Sequence, residues 1–68
     1  MTVDSDLQKA IASAQSALGS YQMFAESTQN PAAKEMFQSM AQDMERHVNQ
    51  LNARKDYLTN SNPLNKQS

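Results

Sequence analysis

Residues 28–31 (Thr-Gln-Asn-Pro) divide the chain into two long segments, each with the hydrophobic spacing of an α-helix. Asn30 suits a helix N-cap, and Pro31 suits the first helical position because its missing N–H is not needed there. A connection this short turns the second helix back beside the first. We therefore predict an all-α fold, an antiparallel two-helix hairpin at residues 1–58, with helix 1 at about 4–28 and helix 2 at about 31–58.

Helix 1 has its apolar residues spaced alternately by four and three, which is the period of a seam that packs lengthwise on another helix. Between Lys9 and Glu26 the segment carries no charge, so the side opposite the seam holds small residues and Met23. Two interpretations of that side stay open: a weakly polar surface in water, or a second contact surface for another helix. The predicted seam comprises Leu7, Ile11, Ala14, Leu18, Tyr21, Ala25 and Thr28.

Helix 2 is amphipathic, with a Met-rich apolar stripe and with Glu35, Glu45 and Arg46 pointing away from it. The simplest interpretation of the methionines is core packing, although Met stripes also form adaptable binding grooves or soft copper sites. Because helix 2 is charged outside, we expect it to be the outer helix of an assembly, with helix 1 central. The predicted stripe comprises Ala33, Met36, Phe37, Met40, Ala41, Met44, Val48, Leu51 and Leu58.

The chain is too short to cover two such stripes by itself. It has 68 residues, 38% of them hydrophobic, and no Cys that could form disulfides. Copies are therefore expected to associate into a four-helix bundle or a larger helical oligomer. The predicted oligomer interface consists of Leu7, Ile11, Ala14, Leu18, Tyr21, Met23, Phe37, Met40, Met44, Val48 and Leu51.

Charge and hydrophobicity limit the partners and the location that we expect for this protein. The net charge of −1 gives no basic field for nucleic acid. No apolar run approaches the roughly 20 residues that span a bilayer, and the N-terminus does not have the pattern of a secretory signal. We therefore expect the protein to be retained inside a cell. We also expect residues 59–68 to form a polar, flexible tail.

His47 is the one candidate for metal or acid–base chemistry that the sequence offers. A di-iron bundle needs a Glu three residues before a His, and Met44 stands there instead. The favoured interpretation is a structural, partly buried His bonded to Asp43, and the alternative is a metal ligand shared across an oligomer. With no phosphate loop and no nucleophile beside a base, we expect neither a cofactor nor an enzyme.

Several short stretches, taken in order, resemble the family of domains of unknown function numbered sixteen fifty-seven, small proteins of endospore-forming bacteria. The resemblance lies in Met1-Thr2-Val3, Phe24-Ala25-Glu26-Ser27-Thr28-Gln29, Ala33-Lys34 with Phe37, and Ala41-Gln42. At the C-terminus, Asn62-Pro63-Leu64-Asn65 replaces the acidic-Pro-x-Tyr ending that many members carry. A looser likeness to rubrerythrin and spore-coat ferritin-like helices covers residues 37–51 but lacks a Glu at position 44.

The resemblance implies a small spore-associated protein without enzymatic activity, since members are encoded near spore-membrane channel proteins and no activity is established for them. The first hypothesis is a self-associating structural or accessory protein, located in the cytoplasm or the spore. The alternative is an adaptor that binds a helix of a partner such as a spore membrane channel protein. A ferritin-like metal-binding bundle is the third hypothesis.

Overall fold

Two long helices and one short connection make up the structure, a computed structural model that describes residues 2–61. Helix α1 spans Val3–Ser27 and helix α2 spans Pro31–Ser61. The helices pack against each other along their length, with Tyr21 beside Phe37 near the connection and Leu7 beside Leu51 near the open end. No strand occurs among the residues described. The predicted all-α, antiparallel two-helix hairpin is confirmed.

The ends of α1 follow from its local sequence. Thr2 is the N-cap, and its side-chain oxygen accepts a hydrogen bond of 3.0 Å from the backbone N–H of Ser5. Asp4 and Asp6 place negative charge in the first turn, where it favours the helix dipole. α1 therefore begins one residue earlier than the predicted start at about residue 4.

The connection between the helices is closed by side-chain bonds. The Asn30 side-chain oxygen accepts a 2.8 Å bond from the Ala33 N–H, which confirms the predicted N-cap, with Pro31 as the first helical residue. Thr28 Oγ1 accepts from the Asn30 N–H at 3.3 Å. Lys34 Nζ then reaches back to the Ala25 carbonyl of α1 at 2.8 Å, satisfying an acceptor in a last turn that has few intrahelical partners.

Helix α2 continues three residues beyond its predicted end at about residue 58 and finishes at Ser61. Polar residues at 59–61 lower helix propensity without forbidding a helix, whereas Pro63 disfavours the helical conformation at the residue before it. Helix α2 thus continues past the onset of polar composition at Thr59. The remainder of the predicted flexible tail, residues 62–68, lies outside the described part of the chain.

The core is small. Among the described residues only Ala25, Ala41 and Val48 are buried apolar residues, and no large side chain is fully buried. The seam residues of both helices are otherwise half-buried, because each helix covers the other from one side only. With a radius of gyration of 15.9 Å, against about 11 Å for a compact domain of this length, the chain is a rod with long open sides.

Candidate functional site

The residues predicted for the oligomer interface fall into two groups in the structure. Ten lie along the seam between α1 and α2, where Val48 is buried and the others are half-buried. Their partial burial comes from contact within one chain, so association through them stays a prediction. The exception is Met23, which is 58% exposed and lies on the side of α1 away from α2. The half-buried seam residues are Leu7, Ile11, Ala14, Leu18, Tyr21, Phe37, Met40, Met44 and Leu51.

One broad side of the hairpin, which we call the apolar face, carries large hydrophobic side chains in contact with solvent. On α1 it consists of residues seven apart, which fall on one side of a helix. On α2 the same side carries Met36, with 51% of its surface exposed, and Tyr57, with 57% exposed. The α1 members are Val3 (63% exposed), Ala10, Ala17 and Phe24 (43% exposed).

Aromatic contacts connect the apolar face to the seam near the connection. The Phe24 ring centroid lies 5.4 Å from that of Phe37, with the planes tilted by 52°. The Tyr21 ring stacks on the Phe37 ring, with the two centroids 6.4 Å apart. These distances are within the range of favourable aromatic pairs, so Phe24 is held in place although much of it is exposed.

The opposite broad side, which we call the amide face, is polar. Gln8, Gln15 and Gln22 follow one another at seven-residue spacing on α1 and are exposed. Across the seam, Gln38 and Gln42 of α2 line a shallow groove together with Gln22. The hairpin therefore has two chemically different broad sides: one carries large exposed apolar side chains, and the other carries mainly amides, with the Glu26 carboxylate in the same groove.

Charged groups lie along the apolar face on both helices: Asp6 is one turn from Val3 on α1, and Arg54 lies five turns after Met36 on α2. Asp43 accepts a hydrogen bond from the guanidinium of Arg46, one turn further on. The Arg54 guanidinium lies over the Tyr57 ring, 5.2 Å from its centroid, in cation–π geometry. His47 lies between these two pairs and lines a shallow groove with Leu7 and Tyr57.

The prediction that His47 is partly buried and bonded to Asp43 is wrong. The imidazole is exposed, and Asp43 pairs with Arg46 instead. The physical reason is geometric: Met44, Val48 and Leu51 fill the seam, and a residue at position 47 lies beside that line, in solvent. No group of three or more His, Asp and Glu side chains within residues 2–61 is placed to hold a metal ion.

Sequence reasoning did not identify the apolar face as a surface. In the sequence, Ala10, Ala17 and Phe24 stand beside the predicted α1 seam, and Met36 belongs to the predicted α2 stripe. The available signal was the seven-residue repeat of Val3 with these three residues, which is distinct from the seam repeat. The exposure of Tyr57, which lies off the predicted stripe, follows the sequence pattern.

Within the described residues, neither helix is long and apolar enough to cross a membrane.

Comparisons with known proteins place the chain in a family. No curated protein and no solved structure matched the chain. A family model described as "Protein of unknown function (DUF1657)" matches residues 7–54, which is more than two thirds of the chain and includes most of both helices. The chain belongs to the DUF1657 family.

Proposed function

We propose that this protein is a small, non-enzymatic structural or accessory protein that acts as a self-associated helical assembly. The observation that carries the proposal is the mismatch between two long, regular helices and a core of three small or medium-sized buried residues. Helices in proteins draw most of their stability from packing of the apolar side, and here that packing is incomplete within one chain. A second copy supplies the missing surface.

The free energy available from association is large compared with the free energy of unfolding of a small domain. Burying apolar area contributes roughly 25 cal/mol per Å², and fully burying a Phe or Met side chain about 1.5–3 kcal/mol. Phe24 and Met36 each keep about half of that area exposed in the single hairpin. Since small domains are stable by only about 5–15 kcal/mol, covering a few such side chains decides whether the hairpin is populated.

A non-enzymatic role is supported by the arrangement of the ionisable side chains. No polar or charged residue in the described part of the chain is buried. Asp43 is paired with Arg46 on one helix, and His47 faces solvent. Catalytic acids and bases are characteristically held in a water-poor cleft that shifts their pKa values, and such a cleft is a different arrangement from this open rod.

The site of action that we propose is the spore. Support for this part comes from the resemblance to proteins of endospore-forming bacteria. A rod that associates through its sides suits a role in packing or scaffolding better than one in chemistry. Fluorescent fusions followed through sporulation of the source organism test it: accumulation in the spore supports the location, and uniform cytoplasmic distribution contradicts it.

The coupling between folding and association can be tested by placing a charge in the seam. Leu18→Asp and Met40→Asp each put a carboxylate where half-buried apolar packing is needed, at a cost of several kcal/mol. We expect both variants to lose far-UV helicity and oligomeric mass together. The matched control is Ser16→Asp, which changes an exposed position of the same helix and should retain both.

A Leu18→Asp protein that stays fully helical as a monomer contradicts self-association, because the contacts within one chain would then be sufficient to keep the hairpin folded.

A different outcome favours the adaptor hypothesis. Met36 is half-exposed beside Phe24, and flexible Met-rich surfaces adapt to partner helices. A wild-type protein that is monomeric and partly helical, and becomes fully helical only with a partner, would identify an adaptor.

A further inference from the structure

We propose that two copies of the hairpin pair through their apolar faces in an antiparallel arrangement, with the connections at opposite ends of the dimer. This inference rests on the proposed self-association and specifies its face, orientation and register. The two-fold axis crosses α1 midway between Ala10 and Ala17 and crosses α2 midway between Asp43 and His47. Each copy presents the same surface to the other, as two-fold symmetry requires.

The choice of face follows from the distribution of exposed apolar side chains. Among the described residues, four of the five large exposed hydrophobic side chains lie on the apolar face, and the fifth, Met23, lies on the outer side of α1. The amide face gains little from burial, because its side chains are polar or charged: Gln8 donates to the Asp4 carboxylate, and Glu26 lines the groove of Gln22. Only the apolar face has both the area and the chemistry to be removed from water by a second copy.

The area is sufficient for a stable dimer. The 25 residues of α1 extend about 37 Å, and two helices side by side are about 20 Å wide. The flat footprint is then about 740 Å² per copy, close to the roughly 800 Å² per partner of a standard protein–protein interface. A partner of the same length and width as the hairpin covers it completely, and a second copy is such a partner.

The α1 residues of the apolar face are self-complementary in size. With the axis between Ala10 and Ala17, each Ala10 meets Ala17 of the second copy, and each Val3 meets Phe24 of the second copy. Small residues at the centre let the two α1 backbones approach closely. At each end a large ring meets a smaller β-branched side chain, so the two surfaces interdigitate.

The axis chosen on α1 also brings a complementary pair of α2 residues together. Tyr21 stacks on Phe37, and Leu7 shares a groove with Leu51, so neighbouring positions of the two helices have numbers that add to about 58. A point midway between Ala10 and Ala17 on α1 therefore lies beside the stretch of α2 between Asp43 and His47. There the antiparallel pairing sets each Asp43 opposite His47 of the second copy, which is a complementary pair of an acceptor and a donor.

The alternative arrangement, with both connections at one end, lacks this complementarity. It stacks α1 of one copy on α2 of the other, so that Asp43 faces Ala17 of the second copy and Arg54 faces Val3. Arg54 meets an apolar side chain of the second copy in either arrangement, Val3 here and Met36 in the antiparallel dimer, so the difference lies at Asp43. Because desolvating a carboxylate against Ala17 without a new hydrogen-bond donor is unfavourable, the antiparallel arrangement, which supplies His47, is favoured.

Orientation can be measured with a spin label at the connection. The chain has no Cys, and Gln29 is exposed between the helices, so a nitroxide on Gln29→Cys reports without altering a contact. In the antiparallel dimer each label lies about 16 residues from the axis, which predicts a label-to-label distance of about 47 Å by pulsed dipolar spectroscopy. A dimer with a distance below about 25 Å overturns the orientation but leaves self-association standing.

Register can be measured by disulfide formation. An equal mixture of Ala10→Cys and Ala17→Cys proteins should oxidise to a covalent dimer, because these positions face each other across the axis. Either protein alone should oxidise much more slowly, since its two cysteines are about 10 Å apart along the helices. Equal or faster crosslinking of either single variant overturns the register.

The face is tested by two methionines of nearly equal exposure. Met36→Lys places a charge on the apolar face and should weaken dimerisation at least tenfold, while Met23→Lys, on the outer side of α1, should leave the dissociation constant within twofold. Loss of dimerisation in Met23→Lys alone overturns the face but not self-association. A wild-type protein that is monomeric throughout the concentration range refutes the proposed function itself and this inference with it.

Discussion

At the scale of single residues, the side of a helix on which a residue lies matters more than its type. Met23 and Met36 are both methionines with about half of their surface exposed. Met36 lies on the apolar face, whereas Met23 lies on the outer side of α1 with Gly19, Ser20 and Glu26 one turn away. Substitution by Lys is therefore expected to weaken dimerisation at Met36 and to leave it unchanged at Met23.

Gly19 gives the sharpest single-residue prediction. It lies in the middle of α1, and a Cβ at this position meets no atom within 4 Å. Gly19→Ala should raise the free energy of unfolding by about 0.5–1 kcal/mol, because alanine loses less conformational freedom in a helix. Chemical denaturation at fixed protein concentration measures the change.

The same variant distinguishes the two interpretations of the outer side of α1. If that side is in water, Gly19→Ala stabilises the fold and leaves the oligomeric mass unchanged. Weaker association of Gly19→Ala would mean that another helix approaches the backbone at this point, and the small residues of α1 would then form a second contact surface.

At the scale of the elements, each helix begins with a side-chain cap, and a side chain of α2 donates a hydrogen bond to a carbonyl in the last turn of α1. Thr2 caps α1, and Asn30 caps α2. Lys34 is the side chain that joins the two elements, since its ammonium group donates to the Ala25 carbonyl in the last turn of α1. These bonds fix the angle at which the chain reverses and hence the alignment of the seam.

The cap of α2 is expected to contribute measurably to stability. Asn30→Ala removes the 2.8 Å bond to the Ala33 N–H and should lower the free energy of unfolding by about 1 kcal/mol. Asn30→Asp, which keeps an acceptor and adds charge at the positive end of the dipole, is the matched control and should retain wild-type stability. Equal loss in both variants would mean that the cap bond contributes little.

Much of the fold could be predicted from the sequence because its signals are local. Asn30-Pro31 identifies the turn, and the four-and-three spacing from Leu7 to Ala25 identifies the seam. The candidate site was harder to predict because burial depends on what covers a helix from the side. His47 illustrates this. Its place near the stripe predicts partial burial, but its side chain lies beside the line of residues that pack on α1 and is exposed.

At the scale of the whole molecule, the protein is a rod with one polar and one apolar broad side. Three buried residues are few for the part of the chain that the structure describes, and most of the apolar seam is only half-covered. Small domains of this kind usually require a further stabilising element, and association is the one that a Cys-free chain of this composition can readily use. The central claim is therefore that folding and self-association are one process.

Association also makes stability depend on concentration. If the folded hairpin is populated mainly in the dimer, the midpoint of thermal unfolding rises with protein concentration by mass action. A hundredfold increase in concentration should raise the midpoint by several degrees, as circular dichroism at 222 nm can follow. A midpoint that is independent of concentration would separate folding from association.

The most direct test of the central claim is the solution mass of the wild-type protein, measured by sedimentation equilibrium from about 1 to 100 μM together with far-UV circular dichroism. We predict twice the 7.6 kDa mass of one chain, or a larger multiple, wherever the protein is fully helical, with mass and helicity falling together on dilution. A fully helical species of 7.6 kDa across the whole range would contradict the account.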